Sequence, residues 1–288
     1  MSKRLIVKSI VSMAQSEGNG ARVRRSIGSA KLHNFDPFLL LDEFYVDPPA
    51  GFPDHPHRGF ETVTYMLKGK FKHEDFAGHK GSIGPGDLQW MTAGRGIVHA
   101  EMPASRETSH GLQLWVNLPG KDKLCEPAYQ EMLDAEVPRA VVEGAEVKII
   151  AGEAFGVDAK VVTRTPIIYL DVKLQPGKSL EHAVKDTYNG FVYVLEGSGT
   201  FGANQKHSDA HTTLVMGNGS ALDVQAGDQG LHYVLIAGEP IGEPVVQYGP
   251  FVMTTNEEIM QAMRDYQTNS NGFERARTFQ SSIYHGAI

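Results

Sequence analysis

The chain has 288 residues, 41% apolar and 21% charged, a composition that excludes wholesale disorder and leaves room for two domains. Its 27 Lys and Arg against 34 Asp and Glu give a net charge of −7, which argues against gripping nucleic acid through overall charge. A single cysteine, Cys125, rules out an intramolecular disulfide.

At the N-terminus the apolar run is broken at Lys8 and Ser9, too early for a signal-peptide core. No run of about 18 apolar residues follows anywhere, so no membrane span is expected and the simplest address is the cytoplasm or nucleus. Arg22, Arg24 and Arg25 form the most basic short stretch, either a partner surface or a strand end paired with local acids. Strand-like runs follow at Glu61–Leu67, Leu112–Asn117, Ile167–Leu174 and Gly190–Leu195, rich in β-branched and aromatic residues and bounded by turn signals. With 31 Gly and 15 Pro spread along the chain, they predict a mainly β protein, sandwich or barrel. Helix is predicted only near the end. Thr255 and Glu258 have capping-box spacing, Ile259, Met263 and Tyr266 share one face, and a weaker helical segment lies around 271–279.

The sequence repeats itself. Tyr65-Met-Leu67-Lys-Gly69 matches Tyr193-Val-Leu195-Glu-Gly197 at an offset of 128. Ala93, Gly94 and His99 match Ala226, Gly227 and His232 at an offset of 133. Two copies of one β unit predict domains at 1–140 and 141–288, the first with a metal site, the second without one and ending in the helix.

Two clusters carry the chemistry. His55-Pro-His57 and His99-Ala-Glu101 each place two ligands at i and i+2, on one face of a strand and roughly 6.6 Å apart. If those strands are neighbours, three imidazoles and a carboxylate converge on one ion, a set suited to first-row transition metals rather than Ca or Mg. Glu61 shares parity with His55 and His57, and spacing alone does not separate it from Glu101. Pro56, lacking an N–H, places its strand at an edge or bulge. Phe52, Phe60, Trp90 and Met91 are candidates for a pocket wall by nearness, and His110 for orienting a ligand. In the second copy, Glu181-His182 and His232-Tyr-Val lack the paired pattern, and both histidines are expected to be ordinary half-buried or surface residues.

These clusters, with Pro85-Gly-Asp87 between them and the duplication, resemble the cupin superfamily. The stretches Phe52–Glu61, Gly86–Gly96 and His99–Pro103 resemble pirins, closely those of animals, and Ala21–Gly28, His110–Asn117 and Asn271–Ala276 extend the likeness end to end. The resemblance implies a bicupin of two antiparallel jelly-roll β-barrels with a short C-terminal helix. It also implies one iron in the N-terminal barrel, held by His55, His57, His99 and Glu101, with other first-row metals admissible. That choice sets Glu61 aside, although the general cupin pattern takes its glutamate four residues after His-x-His.

Two activities follow from the resemblance. One is quercetin 2,3-dioxygenase activity on a flavonol, with Glu101 as ligand and base. The other is a nuclear and cytoplasmic, redox-sensitive transcriptional coregulator of the NF-κB type, partnered by transcription factors or their coregulators. No direct sequence-specific DNA binding and no membrane partner are expected, and the chain is expected to be a monomer. The alternative is a metal-dependent cupin dioxygenase with no transcriptional role.

Overall fold

β-branched and aromatic runs separated by glycine turns have one economical solution, antiparallel strands paired through their neighbours, and the structure adopts it throughout. The structure is a computed structural model that describes residues 2–18 and 20–285. It divides into two compact units that interleave along the chain. One comprises the segment through Met13, Ser29–Pro37 and Glu136–Pro240; the other comprises Ala14–Gly28, Phe38–Ala135 and the segment from Ile241 onward.

In chain order the early strands are β1 (Ile6–Val11), β2 (Ala14–Glu17), β3 (Ala21–Ile27), β4 (Phe38–Val46), β5 (Phe52–His57) and β6 (Phe60–Lys68). They continue with β7 (Phe71–Asp75), β8 (Lys80–Ile83), β9 (Leu88–Thr92), β10 (Ile97–Pro103), β11 (Ser109–Asn117) and β12 (Ala128–Met132). In the histidine-bearing unit, a seven-stranded sheet runs β12-β9-β6-β11-β4-β3-β2 and a four-stranded sheet runs β5-β10-β7-β8. They pack face to face: Val23, Phe44, Val46 and Met66 of the larger sheet share one apolar cluster with Phe71 and Ile83 of the smaller.

The expected barrels are not there. Among the described residues each sheet runs from one edge strand to another, and none closes on itself. The local pattern is the same for an open sandwich and a closed barrel, because closure depends only on whether the edge strands find each other. Here one edge is β5, whose Pro53 and Pro56 supply no N–H to a further strand. The other unit likewise holds an open nine-stranded sheet, in which β1 pairs with Thr212–Met216 and the long strands Asn189–Phe201 and Ala221–Gly238 form the centre. Val147, Leu170, Val192 and Leu235 lie in its core.

The C-terminal helix, α1 (Asn256–Thr268), begins as the sequence predicts: Thr255 and Glu258 form a complete capping box, and Asn269 ends the helix in the left-handed region at φ 51°. The segment around 271–279 forms only a short 3-10 turn, Glu274–Arg277. Expected with the second half, α1 instead belongs to the histidine-bearing unit. Its Ile259 and Ala262 pack with Phe251, Met253 and Phe273 on Val98 of β10. Strand β10 is thus buried on both faces. Val98, Ala100 and Met102 alternate with His99 and Glu101, so covering the outer face leaves the polar pair facing inward.

Candidate metal centre

Strands β5 and β10 are antiparallel neighbours, with His99 opposite His55 and Ile97 opposite His57. This pairing across about 40 intervening residues turns two i, i+2 pairs into one cluster. The ring centroids of His55, His57 and His99 are 4.4 to 5.0 Å apart, and one potential ligand atom from each lies within 4.8 Å of the others. Among the described residues, this is the group of three or more such side chains placed to hold a metal ion. His57 and His99 are buried and His55 is half-buried.

Burial, then the neighbouring His55, pushes the His57 imidazole well below its usual range. His99 is pushed the same way by burial and by His55, His57 and His73. Both rings are therefore neutral at ordinary pH and present lone pairs, which ligation requires. Both nitrogens of His57 and of His99 are buried without a hydrogen-bond partner among the described residues. Leaving such an atom unsatisfied costs about 1–3 kcal/mol, so four together need a reason. A bound cation would take one nitrogen of each ring, which accounts for two of the four, and the donor set fits a first-row metal. The outer nitrogen of His55 is already committed: Nδ1 lies 2.7 Å from the Pro53 carbonyl oxygen, which only accepts, so the proton sits on Nδ1 and Nε2 keeps its lone pair.

Glu101 is buried on the same inward face of β10, two residues beyond His99. Its Oε1 lies 2.9 Å from Thr64 Oγ1 on the opposite sheet, and Thr64 Oγ1 is 2.7 Å from Oε1 of Gln113. One hydroxyl proton serves one acceptor at a time. With the Gln113 amide turned to donate, a chain Gln113 to Thr64 to Glu101 fixes the carboxylate. Glu61 is also buried, on β6, where its Oε1 accepts from Thr92 Oγ1 at 2.7 Å, and the three-histidine group includes neither glutamate.

The turn after β5 is locked from outside. Gly59 has φ 89°, and a Cβ there would collide with the Val252 carbonyl oxygen. Buried Arg58 donates to Arg95 O (2.6 Å), Asp265 Oδ2 (2.8 Å) and Asn271 O (2.6 Å), and its guanidinium lies 4.7 Å from the Phe273 ring centroid. The C-terminal segment thereby grips the residue next to His57.

Other candidates fall elsewhere. Phe60 borders the site, 5.3 Å from His57, whereas Trp90 and Met91 are core and Phe52 packs on Phe44 and Phe71. His110 stacks on Tyr45 and bonds Glu43 Oε1 at 2.9 Å. Arg25 pairs with Asp42 and Glu17, and Arg22 with Asp47, the local pairing considered for that stretch. His232 bonds Asp171, and His182, expected to be half-buried or at the surface, is fully buried against the Tyr233 hydroxyl. The residues missed are Trp115, 5.5 Å from His57, and the β7 pair His73 and Asp75, opposite Glu101 and His99. Their signal was present: His73 and Asp75 are themselves an i, i+2 pair on a strand.

A family model described as Pirin matches residues 20–116, and one described as Pirin C-terminal cupin domain matches residues 169–272. The chain belongs to the pirin family. It is 54% identical to Pirin of Homo sapiens, over 98% of this chain and 99% of that one, and 58% identical to a Pirin-like protein of Solanum lycopersicum, over 96% of each. A crystal structure of quercetin 2,3-dioxygenase from Acinetobacter baumannii superposes with a TM-score of 0.84 at 31% identity, covering 92% of this chain and 97% of that one.

Proposed function

We propose that this pirin-family chain is a metal-dependent dioxygenase that opens a flavonol such as quercetin, with iron held by His55, His57, His99 and Glu101. The observation behind this reading is the set of four orphaned imidazole nitrogens beside a buried carboxylate. The likeness to a quercetin 2,3-dioxygenase supports the substrate class. When bound, a first-row divalent ion supplies Lewis acidity and redox capacity toward a chelating substrate and dioxygen.

The chain's own residues do the rest. The neutral imidazoles of His57 and His99 offer nitrogen lone pairs, and the Pro53 carbonyl holds the His55 ring in the tautomer that leaves Nε2 available. Glu101 takes the proton of the flavonol 3-hydroxyl, steadied by Thr64. Phe60 and Trp115 wall one side of His57 and keep bulk water from that ring. The transcriptional role implied by the resemblance has no such observation behind it, since Arg22 and Arg25 turn to local acids.

The test is metal analysis together with oxygen uptake on quercetin. The expected result is one iron per chain and turnover, both lost in His57→Ala and His99→Ala. Glu101→Gln should lower turnover by about a hundredfold or more. Iron retained in Glu101→Ala but lost in Glu61→Ala overturns the ligand assignment, and an iron-loaded protein that consumes no oxygen with quercetin overturns the activity.

A further inference from the structure

The unit without the histidine cluster has a cavity of about 740 Å³, within the size range of small-molecule sites. Much of its wall is apolar: Val161, Ile167, Ile168, Val184 and Tyr188 all line it and are nearly buried. Its back is held rigid by buried Arg4, whose guanidinium donates to the carbonyls of Lys185 (2.6 Å), Tyr188 (3.1 Å) and Gly217 (3.0 Å). Within this wall sits His182, 1% exposed. Its Nε2 is 2.6 Å from the Tyr233 hydroxyl, while Nδ1 is buried with no hydrogen-bond partner among the described residues. A ring nitrogen left in that state calls for an explanation, as at the metal centre.

The covering group is Phe155. It stands at the tip of the hairpin between Glu153–Ala154 and Val157–Asp158, with φ 53°, a left-handed conformation that is costly for a bulky residue. Its ring meets the His182 ring edge to face at 5.7 Å, yet the residue remains 40% exposed. A large apolar side chain held half in solvent on a strained turn has little packing to lose by swinging aside. Glu153 and Asp158 line the cavity with one cation, Lys185, while Glu181 is paired with Lys3, so an anion is disfavoured.

We propose that this cavity binds an uncharged aromatic small molecule carrying a hydroxyl or comparable group, with His182 as its polar anchor and Phe155 as the ring that yields to admit it. The ligand's ring replaces Phe155 against the imidazole, and its hydroxyl meets Nδ1. A hydroxyl both donates and accepts, so it suits either tautomer of His182. The site is independent of the metal centre and of the activity proposed there.

The probe is 2-naphthol, with naphthalene and 2-naphthoate as its apolar and anionic counterparts, titrated by fluorescence against the metal-loaded protein and the His57→Ala variant. The expected result is one saturable naphthol site per chain, equal in both proteins, with the two counterparts each about tenfold weaker or more. His182→Phe should reduce naphthol to the affinity of naphthalene. Thr163→Trp, at a half-buried position on the rim, should abolish binding without change in the unfolding midpoint. Binding that is lost in His57→Ala, or that persists in Thr163→Trp, overturns the assignment. So does naphthol affinity unchanged by His182→Phe.

Discussion

Replacing Asp265 by Ala strands a guanidinium in the interior. Arg58 and Asp265 are each 3% exposed and joined at 2.8 Å. Without the carboxylate, Arg58 keeps only the carbonyls of Arg95 and Asn271 and the face of Phe273. The side-chain amides of Gln261 and Asn271, each 2.7 Å from Asp265 Oδ1, lose their acceptor as well. Breaking a buried pair from one side costs about 3–5 kcal/mol, and that is the loss expected. Urea unfolding followed by tryptophan fluorescence reads it directly, because both tryptophans, Trp90 and Trp115, lie in this unit.

The double variant Arg58→Met with Asp265→Leu should recover at least half of the loss, since it leaves no charge behind. Acid provides an independent check. Burial alone would raise the Asp265 pKa, but hydrogen bonds from Arg58, Asn271 and Gln261 outweigh it and hold the carboxyl below its usual value. A folded pKa below the unfolded one, about 3.9, gives stability that is present above that pH and lost as pH falls through the folded value. The gap between native protein and Asp265→Ala should therefore close below about pH 4. Because Arg58 directly follows His57, metal affinity should also fall by about tenfold. An Asp265→Ala protein that unfolds within about 1 kcal/mol of the native one at neutral pH would refute this account of the clamp.

Three further outcomes follow from the same geometry. Gly59→Ala puts a methyl group against the Val252 carbonyl at a left-handed φ, and should cost more than about 2 kcal/mol in urea unfolding and lower the bound metal. Lys123 is buried with its pKa lowered to about 8, and donates to Gly59 O (2.9 Å), Asn117 Oδ1 (2.7 Å) and Val252 O (3.1 Å). Lys123→Met removes those three donated hydrogen bonds and should cost about 2 kcal/mol or more by the same measurement. Burial lowers His182 to about 4 from 6.5, so its neutral form stabilises the fold above pH 6.5, and that contribution fades as pH falls toward 4. The total change across that window is roughly 3 kcal/mol, at 1.36 kcal/mol per unit. Thermal unfolding of His182→Gln across that window should be correspondingly flatter.

Much of this was legible locally. Capping-box spacing at Thr255 and Glu258 determines a helix start because both hydrogen bonds close within four residues. The run Ile167–Leu174 is a strand over the whole predicted length, since β-branched side chains and bounding turns act on neighbouring dihedrals. His-x-His and His-x-Glu announce paired ligands because i and i+2 share a face whatever the fold.

What the local pattern does not contain is which strands meet. That His55 faces His99 depends on the register of β5 against β10, and that Arg58 finds Asp265 depends on chain 207 residues away. The same holds for the placing of Trp115, His73 and Asp75 around the site, and for the burial of His182. The open sheets, in place of barrels, have a similar origin. A strand's sequence specifies its two faces, whereas closure is a property of its edges, and edges are satisfied only by partners that tertiary folding brings to them.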